Sequence, residues 1–201
     1  MPDDEAILMT RKNYMFNRDI LIVDIEATGV DFQKHELIEL GAVLLDRKTL
    51  KEKRNFESLI KPRFWRRRDP EAMAVNKLTW DLLKSAPTQK AALKKFQKTF
   101  GTQVIIGNYG TILDTAMLRQ AYKQAGLKYQ FDYHVFDIWP LCYLYMAKQK
   151  KLTNREKFSG FSLEEIAAHF KIKVPSARHT ALADCRLEAE VLRKLVKKLK
   201  I

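Results

Sequence analysis

Residues 19–26 (DILIVDIE) are β-branched and apolar, and they predict a strand. Residues 39–46 (ELGAVLLD) predict a second strand and residues 55–60 a third, followed by a basic loop at 61–68 (KPRFWRRR). The period then changes. Ala92, Phe96 and Phe100 share one side of a helix predicted over 88–100. A short apolar strand over 103–106 runs into Gly-Asn-Tyr-Gly, and a helix over 114–125 carries Leu118, Ala121 and Ala125 on one stripe. A helix over 137–146 tolerates Pro140 in its first turn, with Asp137 as a candidate N-cap. Ser162 and Glu165 form an S-x-x-E capping box ahead of Leu163, Ile166, Ala167 and Phe170, which predicts a helix over 162–170. A last helix spans 180–199. Three strands, a helix–strand–helix unit and further helices predict an α/β fold, a mixed sheet flanked by helices. A polar tail, residues 1–18, precedes a single domain, residues 19–201.

Composition narrows the function classes. The chain has 201 residues, of which 46% are apolar, enough for a packed core and against wholesale disorder. It carries 37 Lys+Arg against 24 Asp+Glu, a net charge of +13, which favours a polyanionic partner: nucleic acid first, an acidic membrane surface second. The longest apolar runs, such as 20–23 and 42–45, fall far short of the roughly twenty residues of a membrane span. The acidic start MPDDE lacks a secretory core. Cys142 and Cys185 have no C-x-x-C spacing, which argues against a zinc ribbon or a disulfide scaffold. A reducing, cytoplasmic setting is the expectation.

Against this basic background, three acidic placements stand out. Asp24 and Glu26 are two apart on the most apolar strand, so their side chains point to the same face. Two ionised carboxylates at the end of a buried strand repel each other and lose hydration unless a cation neutralises them, and Mg²⁺ or Mn²⁺ is usual for an oxygen-only site. The following Ala27-Thr28-Gly29 turns the chain and can offer backbone N–H groups to an anion. The competing reading is a strand end at which both acids are hydrated. Asp114 opens a helix and lies on its core stripe; the alternative is an acid serving the helix dipole. His179 and Asp184 are five apart in RHTALADCR, where a loop histidine can converge with an acid in the first turns; the alternatives are a surface loop histidine and an ordinary first-turn acid.

In this order, D-x-E on a first strand, an Asp at a mid-chain helix start and H-x4-D near the C-terminus, the chain resembles the DEDDh (DnaQ-like) family of 3′–5′ exonucleases. The matching stretches are IVDIEATG, HELIELGAVLL, residues 114–118 and FSLEEIAAHFKIKVPSARHTALADCRL, within a resemblance covering nearly all of 19–199. Two departures stand out: Asn108 lies six residues before Asp114 where the family more often has four, and Leu113 replaces an aromatic residue.

The resemblance implies a ribonuclease-H-like fold, a five-stranded mixed sheet flanked by helices. It implies two Mg²⁺ or Mn²⁺ ions held by Asp24, Glu26, Asp114 and Asp184, with His179 as the general base and all five as catalytic residues. Ala27 and Thr28 match positions that contact the terminal nucleotide, largely through backbone. Glu39 matches a frequent family Glu and reads as structural or as a support behind the metal-holding acids. The implied partner is a single-stranded nucleic acid with a free 3′ end, and the implied product a nucleoside 5′-monophosphate.

The loop at 61–68 adds Arg63, Arg66, Arg67 and Arg68 around Phe64 and Trp65, a pattern suited to nucleic-acid backbone and base stacking. The alternative places Trp65 in the core. The basic end VLRKLVKKLKI reads as an amphipathic helix with a solvated face. The chain ends soon after the last matching motif, which favours a free-standing nuclease over a polymerase subunit. A homodimer, a polymerase partner and a non-catalytic nucleic-acid-binding module on the same fold stay open, as does the choice between DNA and RNA.

Overall fold

Strand β1 (Ile20–Ala27) divides its side chains between two cores. Leu21, Val23, Ile25 and Ala27 enter one; Ile20 and Ile22 enter the other. Asp24 and Glu26 continue the row of Ile20 and Ile22. The computed structural model describes residues 16–110, 112–152, 161–174 and 180–199. The tail at 1–15 and His179 lie outside the described residues.

β1 is the centre of a five-stranded sheet. It pairs antiparallel with β2 (Leu37–Leu45), which pairs antiparallel with β3 (Glu52–Leu59). On its other side β1 pairs parallel with β4 (Ile105–Asn108), and β4 with β5 (Val135–Asp137), giving the order β3-β2-β1-β4-β5. This is the mixed sheet that the sequence predicts. Chain connections leave β1 and β4 in opposite directions, and open α/β sheets place ligand sites where the strand order switches in this way.

Seven α-helices are described, and a 3-10 turn spans Trp65–Arg67 in the basic loop. α1 (Pro70–Asn76) and α2 (Trp80–Leu83) follow β3; α3 (Gln89–Phe100) precedes β4; α4 (Ile112–Gln124) links β4 to β5. α5 (Ile138–Lys148), α6 (Leu163–His169) and α7 (Ala181–Leu199) complete the chain. Local signals account for most boundaries. Thr88 Oγ1 caps α3 by accepting from Ala91 N at 3.3 Å, and Gly101 at φ 69° ends it. Asp137 caps α5 by accepting from Trp139 N, and the Ser162–Glu165 capping box forms.

The layers follow from the apolar stripes. α3 and α4 cover one face of the sheet through Ala92, Phe96, Met117, Leu118 and Tyr122. α5, α6 and α7 cover the other through Ile138, Cys142, Ile166, Cys185 and Leu192. Both cysteines are free and buried. A small third cluster joins Ile38, Leu78 and Leu83, with Met73 and Trp65 against it. No helix among the described residues is long and apolar enough to cross a membrane.

Three elements were not legible. β5 is three residues long, too short for a period, and α2 has four. α1 carries a capping Asp69 and Pro70 at its start but buries one side chain, Asn76, so it has no apolar stripe. β4 also sits two residues later than its apolar run, because Gly107 and Asn108 stay in the ladder opposite Phe136 and Asp137.

Candidate active site

Asp24 stands opposite Gly41 in the β1–β2 ladder, and Glu26 opposite Glu39, which is buried. The β1–β4 pairing ends at Ile22 with Gly107, so the two acids lie beyond the point where β1 and β4 stop sharing hydrogen bonds. α7 is seated directly above. A Cβ on Gly41 would stand 2.2 Å from the carbonyl carbon of Ala181, an approach only glycine permits. Thr180 opens that helix: its hydroxyl accepts from Ala183 N at 3.2 Å and its carbonyl from Asp184 N at 3.0 Å. Asp184 is therefore in the first turn, over the strand acids.

The result is a tight acidic group. One carboxylate oxygen each from Asp24, Glu26 and Asp184 lie within 4.8 Å of one another. Asp114, in the first turn of α4, joins electrostatically. Burial pushes the Asp24 carboxyl well above the usual range, and Glu188, Asp114, Asp184 and Glu26 push it further. Burial, with Asp137 nearby, raises Asp114 to about 7. Asp137 in turn accepts from Gly110 N at 3.0 Å, tying the β4–α4 loop to β5. Like charges held this close call for a cation, and an all-oxygen donor set suits a hard divalent one.

The sequence pattern did not single out Glu188. It lies on α7 one turn after Asp184, and burial raises its carboxyl well above the usual range, with Asp114 and Asp184 adding to the rise. The signal was present: 181, 185, 188, 192 and 195 form the buried stripe of α7, and position 188 is the charged one.

The end of β1 is braced from behind. Thr28 is buried; its N–H donates to Glu36 O at 2.9 Å and its Oγ1 accepts from Glu36 N at 2.9 Å. The Thr28 N–H thus has a partner within the chain rather than facing an anion. Ala27 O accepts from the buried Asn76 Nδ2 at 3.1 Å, and Thr28 O from Asp69 N at 2.7 Å. A Cβ on Gly29 would stand 2.3 Å from the His35 ring, so glycine lets that ring close over the turn.

The basic loop hangs from the same brace. The buried Glu36 carboxylate accepts from Arg63 N at 3.0 Å and from Phe64 N at 2.7 Å. Arg63, Arg66, Arg67 and Arg68 are exposed. Phe64 is 45% exposed, with the guanidinium carbon of Arg67 4.4 Å from its ring centroid. Trp65 is half-buried against the Ile38–Leu78–Leu83 cluster, 5.8 Å from the Trp80 ring. The ring presented outward by this loop is that of Phe64. Glu36 and Asn76 carry no chemistry that sequence pattern alone reveals; their importance lies in backbone groups far along the chain.

Residues 21–192 match the exonuclease family model of the RNase T type. The chain belongs to the exonuclease family. It is 28% identical over 204 residues to the DNA polymerase III subunit epsilon of Aquifex aeolicus (strain VF5), covering 99% of this chain and 90% of the relative. It is 25% identical over 204 residues to a PolC-type DNA polymerase III of Caldanaerobacter subterraneus subsp. tengcongensis, but spans 13% of that much longer protein. Among solved structures, the nuclease domain of 3′hExo, a DEDDh family member bound to rAMP, superposes with a TM-score of 0.69 at 21% identity, over 93% of this exonuclease and 94% of that domain. That likeness shows the fold, a five-stranded mixed sheet of the ribonuclease-H-like kind. Family and fold are consistent with the 3′–5′ exonuclease activity that the sequence resemblance implies.

Proposed function

We propose that this exonuclease is a divalent-metal-dependent enzyme that shortens single-stranded DNA or RNA from its 3′ end and releases nucleoside 5′-monophosphates. The observation that carries the reading is the convergence of Asp24, Glu26 and Asp184 within 4.8 Å, with Asp114 in their field. These four side chains would hold Mg²⁺ or Mn²⁺. Bound there, divalent ions supply Lewis-acid stabilisation of the oxygens that attack and leave phosphorus.

The chain's own residues would do the rest. His179 would take the proton of the attacking water as its oxygen bonds to phosphorus; the P–O3′ bond breaks, and the departing 3′-oxygen gains a proton. The role of His179 rests on its spacing before Asp184. Ala27 and Thr28, braced by Asn76 and Glu36, would form the floor under the terminal nucleotide. Arg63, Arg66, Arg67 and Arg68 would meet the phosphates of the strand, with Phe64 as the stacking ring beside the half-buried Trp65. Residues 19–201 are read as one catalytic domain.

The test uses matched 3′- and 5′-labelled DNA and RNA with Mn²⁺, Mg²⁺ or EDTA, beside Asp24→Asn and His179→Ala. Stepwise shortening from the 3′ end, lost in EDTA and in both variants, is expected. Salt-sensitive binding without cleavage would instead make the protein a nucleic-acid-binding module. The likeness to a polymerase III epsilon subunit supports a second reading, a proofreading partner; faster removal of mismatched than of matched 3′ ends, with a polymerase co-purifying, would favour it.

A further inference from the structure

We propose that Glu188 is a fifth carboxylate of the metal site, acting on a divalent cation held by Asp24, Glu26 and Asp184 through the water bound to that cation. The proposal rests on the metal-dependent reading above and extends it to a residue outside the D-x-E, Asp and H-x4-D pattern.

Geometry places it there. Glu188 is four positions after Asp184, about 40° around an α-helix and one turn along it, so both project from one face of α7. That face is packed on β1 and β2, and Glu188 is 2% exposed. The backbone of Tyr109, just after β4, acts on its carboxyl and offsets part of the rise. One carboxylate oxygen, Oε2, is buried with no hydrogen-bond partner among the described residues. Glu188 lies in the field of Asp114, Asp184 and Asp137, and among the charges acting on Asp24 its own is the largest.

A buried carboxylate oxygen surrounded by other carboxylates can be satisfied only by a proton shared among them or by a cation. A cation, or the water bound to one, supplies what is missing. A core glutamate with a purely structural role would be expected to have a basic or hydrogen-donating partner for both oxygens, since replacing buried charged groups by apolar ones of similar volume is often neutral or stabilising. The end of β4 at Tyr109 and the acids Asp114 and Asp184 thus act on Glu188 together.

The experiment measures Mn²⁺ binding to the full chain without nucleic acid, by titration calorimetry and by the rise in Tm that Mn²⁺ produces. Wild type, Glu188→Gln, Glu188→Met and Asp24→Asn are compared. Glu188→Gln and Glu188→Met are expected to fold in EDTA, to bind Mn²⁺ about 10–100-fold more weakly than wild type, and to show a smaller Mn²⁺-induced rise in Tm. Unchanged affinity and an unchanged rise in either variant would overturn the proposal while leaving the metal reading intact. If neither variant folds, Glu188 is a structural group of the core and the proposal is likewise overturned. If wild type binds no Mn²⁺ and Asp24→Asn behaves as wild type, the metal reading itself fails.

Discussion

Gly41 and Ala181 meet backbone to backbone: the place where a Cβ on Gly41 would stand is 2.2 Å from the Ala181 carbonyl carbon. Gly41 is also the ladder partner of Asp24. One missing methyl group therefore sets how closely the start of α7, and with it Asp184, approaches the strand acids. Gly41→Ala should push the helix start outward. Overpacking of this kind costs about 1–3 kcal/mol, and a displacement of about 1 Å at a catalytic group can cost roughly 10²-fold in rate. Urea unfolding and the exonuclease rate should show a modest stability loss with a much larger loss of activity. A variant as active as wild type would mean that α7 is not held at this point.

Asp24→Asn should separate stability from function. The Asp24 carboxyl is raised by burial and by four neighbouring acids, so removing its charge relieves repulsion. In EDTA at neutral pH the variant should be more stable, by on the order of 1 kcal/mol. Its nuclease activity with Mn²⁺ should fall by on the order of 10²-fold or more. A destabilised variant would show that Asp24 has a favourable partner in the metal-free protein.

The same repulsion fixes the pH dependence of the metal-free chain. Asp114 titrates at about 7 against an ordinary value of 3.8, so between these values the folded state holds more protons than the unfolded one. Stability from this group is fully present below the ordinary value and is lost as pH rises through about 7. Asp24 and Glu188 shift in the same direction. In EDTA, Tm should therefore fall between about pH 5 and pH 8, and Mn²⁺ should bind more tightly and restore more of the Tm at the upper end. A Tm that rises over that interval in EDTA would contradict the burial of these acids.

The sheet and the site were legible to different depths. β1 and β2 announced themselves because they are buried on both faces, and Asp24 and Glu26 were conspicuous because they interrupt such a run. Asp114 and Asp184 stand out in the sequence because they fall on a core stripe or in a first turn. Glu188 also falls on a core stripe and escaped because it belongs to no motif. Glu36 and Asn76 were beyond reach: each serves backbone groups 27 to 49 residues away, and nothing local marks a side chain whose partner is set by topology. β5 was invisible because three residues carry no period, and it is recruited by the edge of β4.

Glu36 links the nucleotide floor to the basic loop, and this gives a prediction that distinguishes binding from chemistry. Its carboxylate holds the N–H groups of Arg63 and Phe64, while its own backbone holds Thr28. Hydrogen bonds to a charged acceptor contribute about 1.5–3 kcal/mol each. Glu36→Gln keeps one acceptor oxygen and loses the charge, so the loop should loosen while the acids on β1 keep their places. KM for a single-stranded oligonucleotide should rise with kcat largely retained. Replacing Arg63, Arg66 and Arg67 together by Ala should also raise KM and should flatten the salt dependence, by about 0.7 in log–log slope for each phosphate that an arginine no longer neutralises. The two changes should not add. If Glu36 acts by positioning the arginines, then Glu36→Gln in the background of the triple variant should have little further effect on KM. A full additional rise there would mean that Glu36 acts through Thr28 and the terminal nucleotide instead.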